Sequence, residues 1–167
     1  MKIARVFPRV TKATPKDEYT FFTEEPPMMI LPEIDEVHVS VTFTFDKPKA
    51  EEMAENWRKV GVPVRIGGPA YDDPGGVFEP GVYLKKGYTI TSRGCHNKCW
   101  FCDVWRRSGT LRELPIKDGY IVQDDNLLVC SEEHIRAVFE MLKRQKKRPI
   151  FSGGLEARIL KPWHIEL

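Results

Sequence analysis

No stretch of this sequence stays apolar long enough to cross a bilayer. The opening residues, Met1-Lys2-Ile3-Ala4-Arg5, offer neither the apolar core nor the small-residue cleavage site of a secretory signal. The expected address is therefore cytoplasmic. A large excess of either charge is missing too: the formal net charge is +2, which gives no reason to invoke nucleic acid or an anionic membrane. No internal repeat is visible. Cysteine is scarce, four in 167 residues, yet three of the four fall within eight positions. In a reducing compartment such clustering favours metal over disulfide.

The apolar share of 41% fits a globular chain. Ile3 to Phe7 reads as a first strand, followed by a Pro-rich irregular connection through Pro8, Pro15, Pro26, Pro27 and Pro32. Val37, Val39, Val41, Phe43 and Phe45 alternate with polar residues, which predicts a strand with a buried face. Asp46 and Pro48 suit a helix start, Met53, Ala54, Trp57 and Val60 its buried face, and Gly61 its stop. With Val62 to Ile66 returning as a strand, the segment reads as a parallel βαβ unit.

Gly67-Gly68-Pro69 and Asp72-Asp73-Pro74-Gly75-Gly76 break regular structure. They predict a linker near 67–82, closing a small α/β domain over 1–82 and opening a second domain over 83–167. A phosphate cradle at those glycines is not favoured, because no helix start follows to supply free amides. In the second part, Tyr88 to Ser92 reads as a strand and Arg106 to Leu114 as a helix or covering loop. Asp118-Gly119 and Asp124-Asp125-Asn126 are turn signals around short apolar runs, predicting a small hairpin. Ser131 is a good N-cap for a helix with Ile135, Val138, Phe139 and Leu142 inside. Lys143, Arg144, Lys146 and Lys147 read as its solvated end rather than a nucleic-acid patch. Pro149-Ile150-Phe151 is a short strand ended by Ser152-Gly153-Gly154. Leu155 to Leu167 reads as a loop and the opening of a helix.

Cys95, Cys99 and Cys102 have the spacing C-x3-C-x2-C. Three thiols on one short loop can converge on a metal without long-range closure cost. A structural zinc site and most electron-carrying clusters use four protein ligands, whereas three leave one iron of a cubane free. Cys130 could supply a fourth ligand for a zinc-stabilised binding module or an electron carrier, but it closes the apolar run Leu127-Leu128-Val129, as a buried strand thiol would. His96 reads as an exposed loop residue. Trp100 and Phe101 set aromatic surface beside the thiols, for packing or for stacking on a cofactor base.

The run from Thr91 to Cys102, TSRGCHNKCWFC, resembles the cluster loop of the radical S-adenosylmethionine (AdoMet) superfamily, with Phe101 at its aromatic position. Ser152-Gly153-Gly154-Leu155-Glu156 is similar to that family's Gly-Gly-Glu motif, with a leucine inserted before the acid. The resemblance spans about residues 85–167. It implies a 4Fe–4S cluster on Cys95, Cys99 and Cys102 and AdoMet on its open iron. Phe101 would border the adenine, with Gly153, Gly154 and Glu156 toward the amino group. An electron donor of flavodoxin or ferredoxin type would feed the cluster, and the product would be a 5′-deoxyadenosyl radical acting on an unidentified substrate.

The expected architecture is thus α/β: the N-terminal βαβ domain, then the first β/α units of an incomplete radical AdoMet barrel. The cysteine strand and the Ile150 strand would be consecutive parallel neighbours, both loops at their C-terminal ends. The chain is expected to be a truncated piece of that barrel, ligating a cluster but cleaving AdoMet poorly. Phe151, Trp163 and Ile165 would be exposed at its open edge. The N-terminal segment weakly resembles the small domain preceding the barrel in cobalamin-binding relatives. It lacks their Asp-x-His-x-x-Gly motif, and His38, in a strand, is expected to pack or face solvent.

Overall fold

The computed structural model describes residues 1–27, 33–73 and 75–166. Pro32, Pro74 and Leu167 lie outside them. The protein is mixed α/β and divides into two compact units: Met1–Asp73 with Val82–Lys85, and Pro74–Gly81 with Lys86–Leu167.

The first unit is built on β1 (Ile3–Val6), β2 (Thr20–Phe21), β3 (Glu36–Ser40) and β4 (Val64–Gly67), ordered β2-β1-β3-β4 and parallel throughout. The two-residue β2 lies inside what reads as an irregular Pro-rich connection. The register sets Val6 beside Val39 and Val37 beside Val64. Helix α1 (Lys47–Trp57) has Pro48 in its first turn, where a missing N–H costs nothing. It buries Ala50, Met53, Ala54 and Trp57 against Ala4, Val6, Val37, Val39 and Val41. A 3₁₀ turn then ends at Gly61, at φ 84°. The expected β–α–β order is present, with β3 and β4 paired.

Two details differ from the sequence expectation. β3 ends at Ser40, and the Val41 amide makes the last bond to this sheet neighbour, at the Gly67 carbonyl. β4 ends at Gly67, so Phe43 and Phe45 have no strand to pair with. They turn outward and stack on each other, 39% and 68% exposed. Asp46 precedes the helix but does not cap it with its side chain; its carboxylate takes the Arg9 guanidinium at 2.8 and 2.9 Å.

The second unit holds a three-stranded parallel sheet ordered β5 (Tyr88–Thr89), β8 (Ile121–Val122), β9 (Ile150–Phe151). The expected hairpin around Asp118 to Asn126 does not form. β8 pairs in parallel with β5 on one side and β9 on the other, because its two residues complete a sheet rather than fold back on a neighbour. The strand before the cysteines is therefore not adjacent to the Ile150 strand: β8 stands between them. After Thr89 the chain leaves the sheet, and β6 (Ser92–Arg93) pairs antiparallel with β7 (Arg112–Glu113). Between them lies the short helix α2 (Val104–Arg107).

Helix α3 (Glu132–Lys143) joins β8 to β9. Ser131 caps it, its Oγ accepting the His134 amide at 3.2 Å, and Glu132 and Glu133 occupy the first turn. Ile135, Val138, Met141 and Leu142 face inward against Val122, Leu127 and Cys130. Cys130 is buried but not on a strand. It follows the 3₁₀ turn Leu127–Val129 and directly precedes the N-cap, so the apolar run that suggested a strand is a turn packed under α3. Phe151 and Trp163, the latter in α4 (Pro162–Ile165), are half-buried against the same core rather than exposed. Ile165 is exposed.

Candidate functional site

Three loops leave the C-terminal ends of the parallel strands β5, β8 and β9, and hydrogen bonds tie them together. The loop after β8, Asp124-Asp125-Asn126, is central. Asp124 is 2% exposed, and its carboxylate accepts the Thr91 amide and hydroxyl, both at 2.6 Å, and the Ser92 hydroxyl at 2.9 Å. Asp125 accepts the Gly94 amide at 2.7 Å and lies 3.6 Å from the Arg93 guanidinium. Burial lowers the Arg93 pKa, with the charges of Asp125 and Asp124 working against it. Arg93 also donates to the Gln123 carbonyl at 3.1 Å. Residues 91–94, which lead into the first cysteine, are thus held by the β8 loop on one side and by pairing with β7 on the other.

Gly94 is at φ 83°, and a Cβ there would sit 2.3 Å from the Thr110 carbonyl oxygen. Only glycine allows the chain to enter the cysteine loop so close to its exit. All four cysteines are free thiols; Cys95, Cys99 and Cys102 are half-buried. The Cys95 amide bonds the Gly109 carbonyl, while Cys99 and Cys102 share a turn closed by the Cys102 amide and braced by Trp105 Nε1 on the Cys99 carbonyl. Among the described residues, no three His, Cys, Asp or Glu side chains are gathered as ligands of a metal ion would be. The convergence of the three sulfurs expected from their spacing is therefore not shown. Cys95 lies against the strand ends, at Asn126, and the other two belong to the turn beyond.

Cys130 is buried in the core under α3. Burial pushes its thiol up to about 11, with the charges of Asp124 and Glu113 adding to the effect and a Ser92 hydrogen bond opposing it. Such a thiol is held neutral around pH 7. His96 is exposed, as expected. Trp100 and Phe101 are 87% and 74% exposed and meet edge to face at 5.6 Å.

The loop after β9 carries Gly153, Gly154 and Glu156. A Cβ on Gly153 would lie 1.8 Å from the Asp124 carbonyl oxygen, and one on Gly154 2.2 Å from that of Asp125. The Gly154 amide bonds the Asp124 carbonyl at 3.1 Å. The glycine pair thus has a packing reason of its own: it lets the β9 loop lie on the β8 loop. Beyond the exposed Leu155, Glu156 turns back. Its Oε2 accepts from Asn97, inside the cysteine loop, and from Asn126 at 3.1 Å; its Oε1 accepts from Arg158. Burial pushes this carboxyl up, but those donors outweigh it and hold the pKa below the usual glutamate range.

The structure therefore brings Cys95 and Glu156 to one polar knot. Asn97, Asp124, Asp125 and Asn126 were not picked out by sequence pattern. The last three read as turn residues, though they follow a short apolar run just as Ser152-Gly153-Gly154 does. Neither family models, curated proteins nor solved structures give a match to this chain. Among the described residues no helix is long and apolar enough to cross a membrane.

Proposed function

We propose that this chain is an iron–sulfur protein of the radical AdoMet type, its second unit forming the first β/α units of such a barrel. What carries the reading is the bond between Glu156 and Asn97. It joins the loop of the Gly-Gly-Leu-Glu motif to the cysteine loop, although the parallel strands that precede the two loops are separated by β8.

The donor chemistry fits a cluster: three free, half-buried thiols on one loop, with the fourth cysteine buried in the core under α3. Cys95, Cys99 and Cys102 would hold it. When bound, the cluster and AdoMet supply reductive cleavage of the sulfonium to a 5′-deoxyadenosyl radical. The chain's own groups orient and shield. Asp124 and Asp125 fix the base of the cysteine loop. Glu156, kept ionised by two amides and Arg158, would meet the AdoMet amino group with negative charge, together with Gly153 and Gly154. Phe101, exposed beside the thiols, would offer a ring to the adenine. An electron donor of flavodoxin or ferredoxin type and a cytosolic setting belong to the same proposal.

The test is anaerobic reconstitution with iron and sulfide. Cys95→Ala, Cys99→Ala and Cys102→Ala should each lose the brown chromophore and most of the iron, and Cys130→Ala should keep both. Dithionite and AdoMet should then yield 5′-deoxyadenosine from the loaded chain above an AdoMet-free control. Zinc uptake without a chromophore, or equal loss in all four variants, would replace the proposal with a four-cysteine carrier or zinc module.

A further inference from the structure

Asn126 belongs to neither recognised motif, and its side chain occupies the junction of both. It is 6% exposed. Its Nδ2 lies 3.1 Å from Glu156 Oε2 and 3.8 Å from Cys95 Sγ. A half-turn of the amide would set Oδ1 against the Glu156 carboxylate, so the donor must face that side. Oδ1 is left buried with no hydrogen-bond partner. An amide that accepts this cost is held by what its NH₂ group does. Asn97 offers a natural comparison: it also donates to Glu156 but, among the described residues, makes no hydrogen bond to a cysteine sulfur.

We infer that Asn126 is a positioning residue that couples Cys95 to Glu156, setting the reduction potential of a cluster held by Cys95 and, through Glu156, the affinity for AdoMet. This rests on the radical AdoMet reading. An N–H aimed at a ligating sulfur withdraws charge from it and favours the reduced state, so its loss drives the potential negative. Loss of the bond to Glu156 frees the carboxylate to swing from its place and weakens AdoMet binding.

The experiment uses the full chain, reconstituted anaerobically. The midpoint is read by redox titration with electron paramagnetic resonance, and AdoMet affinity by equilibrium dialysis. Asn126→Leu should shift the midpoint negative and weaken AdoMet about tenfold, the loss of one charge-assisted hydrogen bond. Asn97→Leu should weaken AdoMet similarly and leave the midpoint in place. Asn126→Asp preserves the packing should the leucine variant fold poorly; its carboxylate, facing Glu156 and Cys95, should shift both quantities further. The inference is overturned if the Asn126 variants leave the midpoint unmoved, or if Asn97→Leu moves it as far. A wild-type chain that takes up a cluster but binds no AdoMet removes the AdoMet half, and the midpoint still decides the link to Cys95. A wild-type chain that takes up no cluster sinks the underlying reading and the inference with it.

Discussion

The Asp124 carboxylate grips Thr91 twice, at the backbone amide and at the side-chain hydroxyl, each at 2.6 Å and across 33 positions of sequence. The group so held is fully buried, as is Ser92, the third donor to the same carboxylate. A residue in a loop of one strand thereby determines where the chain from another strand enters the cysteine loop.

Removing that carboxylate should be costly. Asp124→Ala leaves an amide and two hydroxyls buried without their acceptor, and the expected loss is about 3 kcal/mol. Asp124→Asn keeps one acceptor and should lose less, about 1–2 kcal/mol. Urea unfolding followed by tryptophan fluorescence measures both. Equal stability of the alanine variant and the wild type would mean that the clamp holds nothing.

The crowding around Gly153 gives a second expectation. Gly153→Ala drives a methyl into the Asp124 carbonyl, so the β8 and β9 loops must part, at about 1–3 kcal/mol. Gly76→Ala, at a glycine with nothing within 4 Å, should be near neutral. A thermal melt in which the two variants behave alike would contradict the packing described for the Gly-Gly pair.

Cys130 should leave an alkaline signature. Burial raises its thiol from 9.0 to about 11, so the folded chain holds a proton that the unfolded chain releases first. By linkage, this stabilisation is complete below pH 9 and is lost as pH rises from 9 toward 11. The decline in unfolding free energy over that range should be shallower in Cys130→Ala. In the folded protein Cys130 should also react with iodoacetamide far more slowly at pH 8 than the three loop cysteines.

Much of the frame was legible in the sequence where periodicity is long enough to speak. The β3–α1–β4 unit and α3, with Ser131 as its cap, follow from alternation, helical spacing and capping chemistry. The short strands were harder. Ile121 and Val122 are too few to show a period, and the Asp and Gly residues around them read as a reversal, so the sequence pattern at β8 predicts half of a hairpin. Phe43 and Phe45 continued the alternation beyond the point where β4 could pair with it. The cysteines and glycines of the site were visible because their spacing is itself the signal. Asn97, Asp124 and Asn126 were not, because their roles exist only once three loops from distant parts of the chain lie together.

The first unit is not a continuous stretch of polypeptide. Val82–Lys85 rejoins it after eight residues that belong to the other unit. The return is anchored by Arg5 Nη1 on the Val82 carbonyl at 3.0 Å, by the Lys85 amide on the Ala13 carbonyl at 2.8 Å, and by Tyr83 stacked on His38. A protease nick between residues 75 and 81 would therefore leave a covalent break without a clean parting. The C-terminal fragment would still own four residues of the N-terminal unit, docked there as a complementing peptide. No single cut of the backbone yields both units whole.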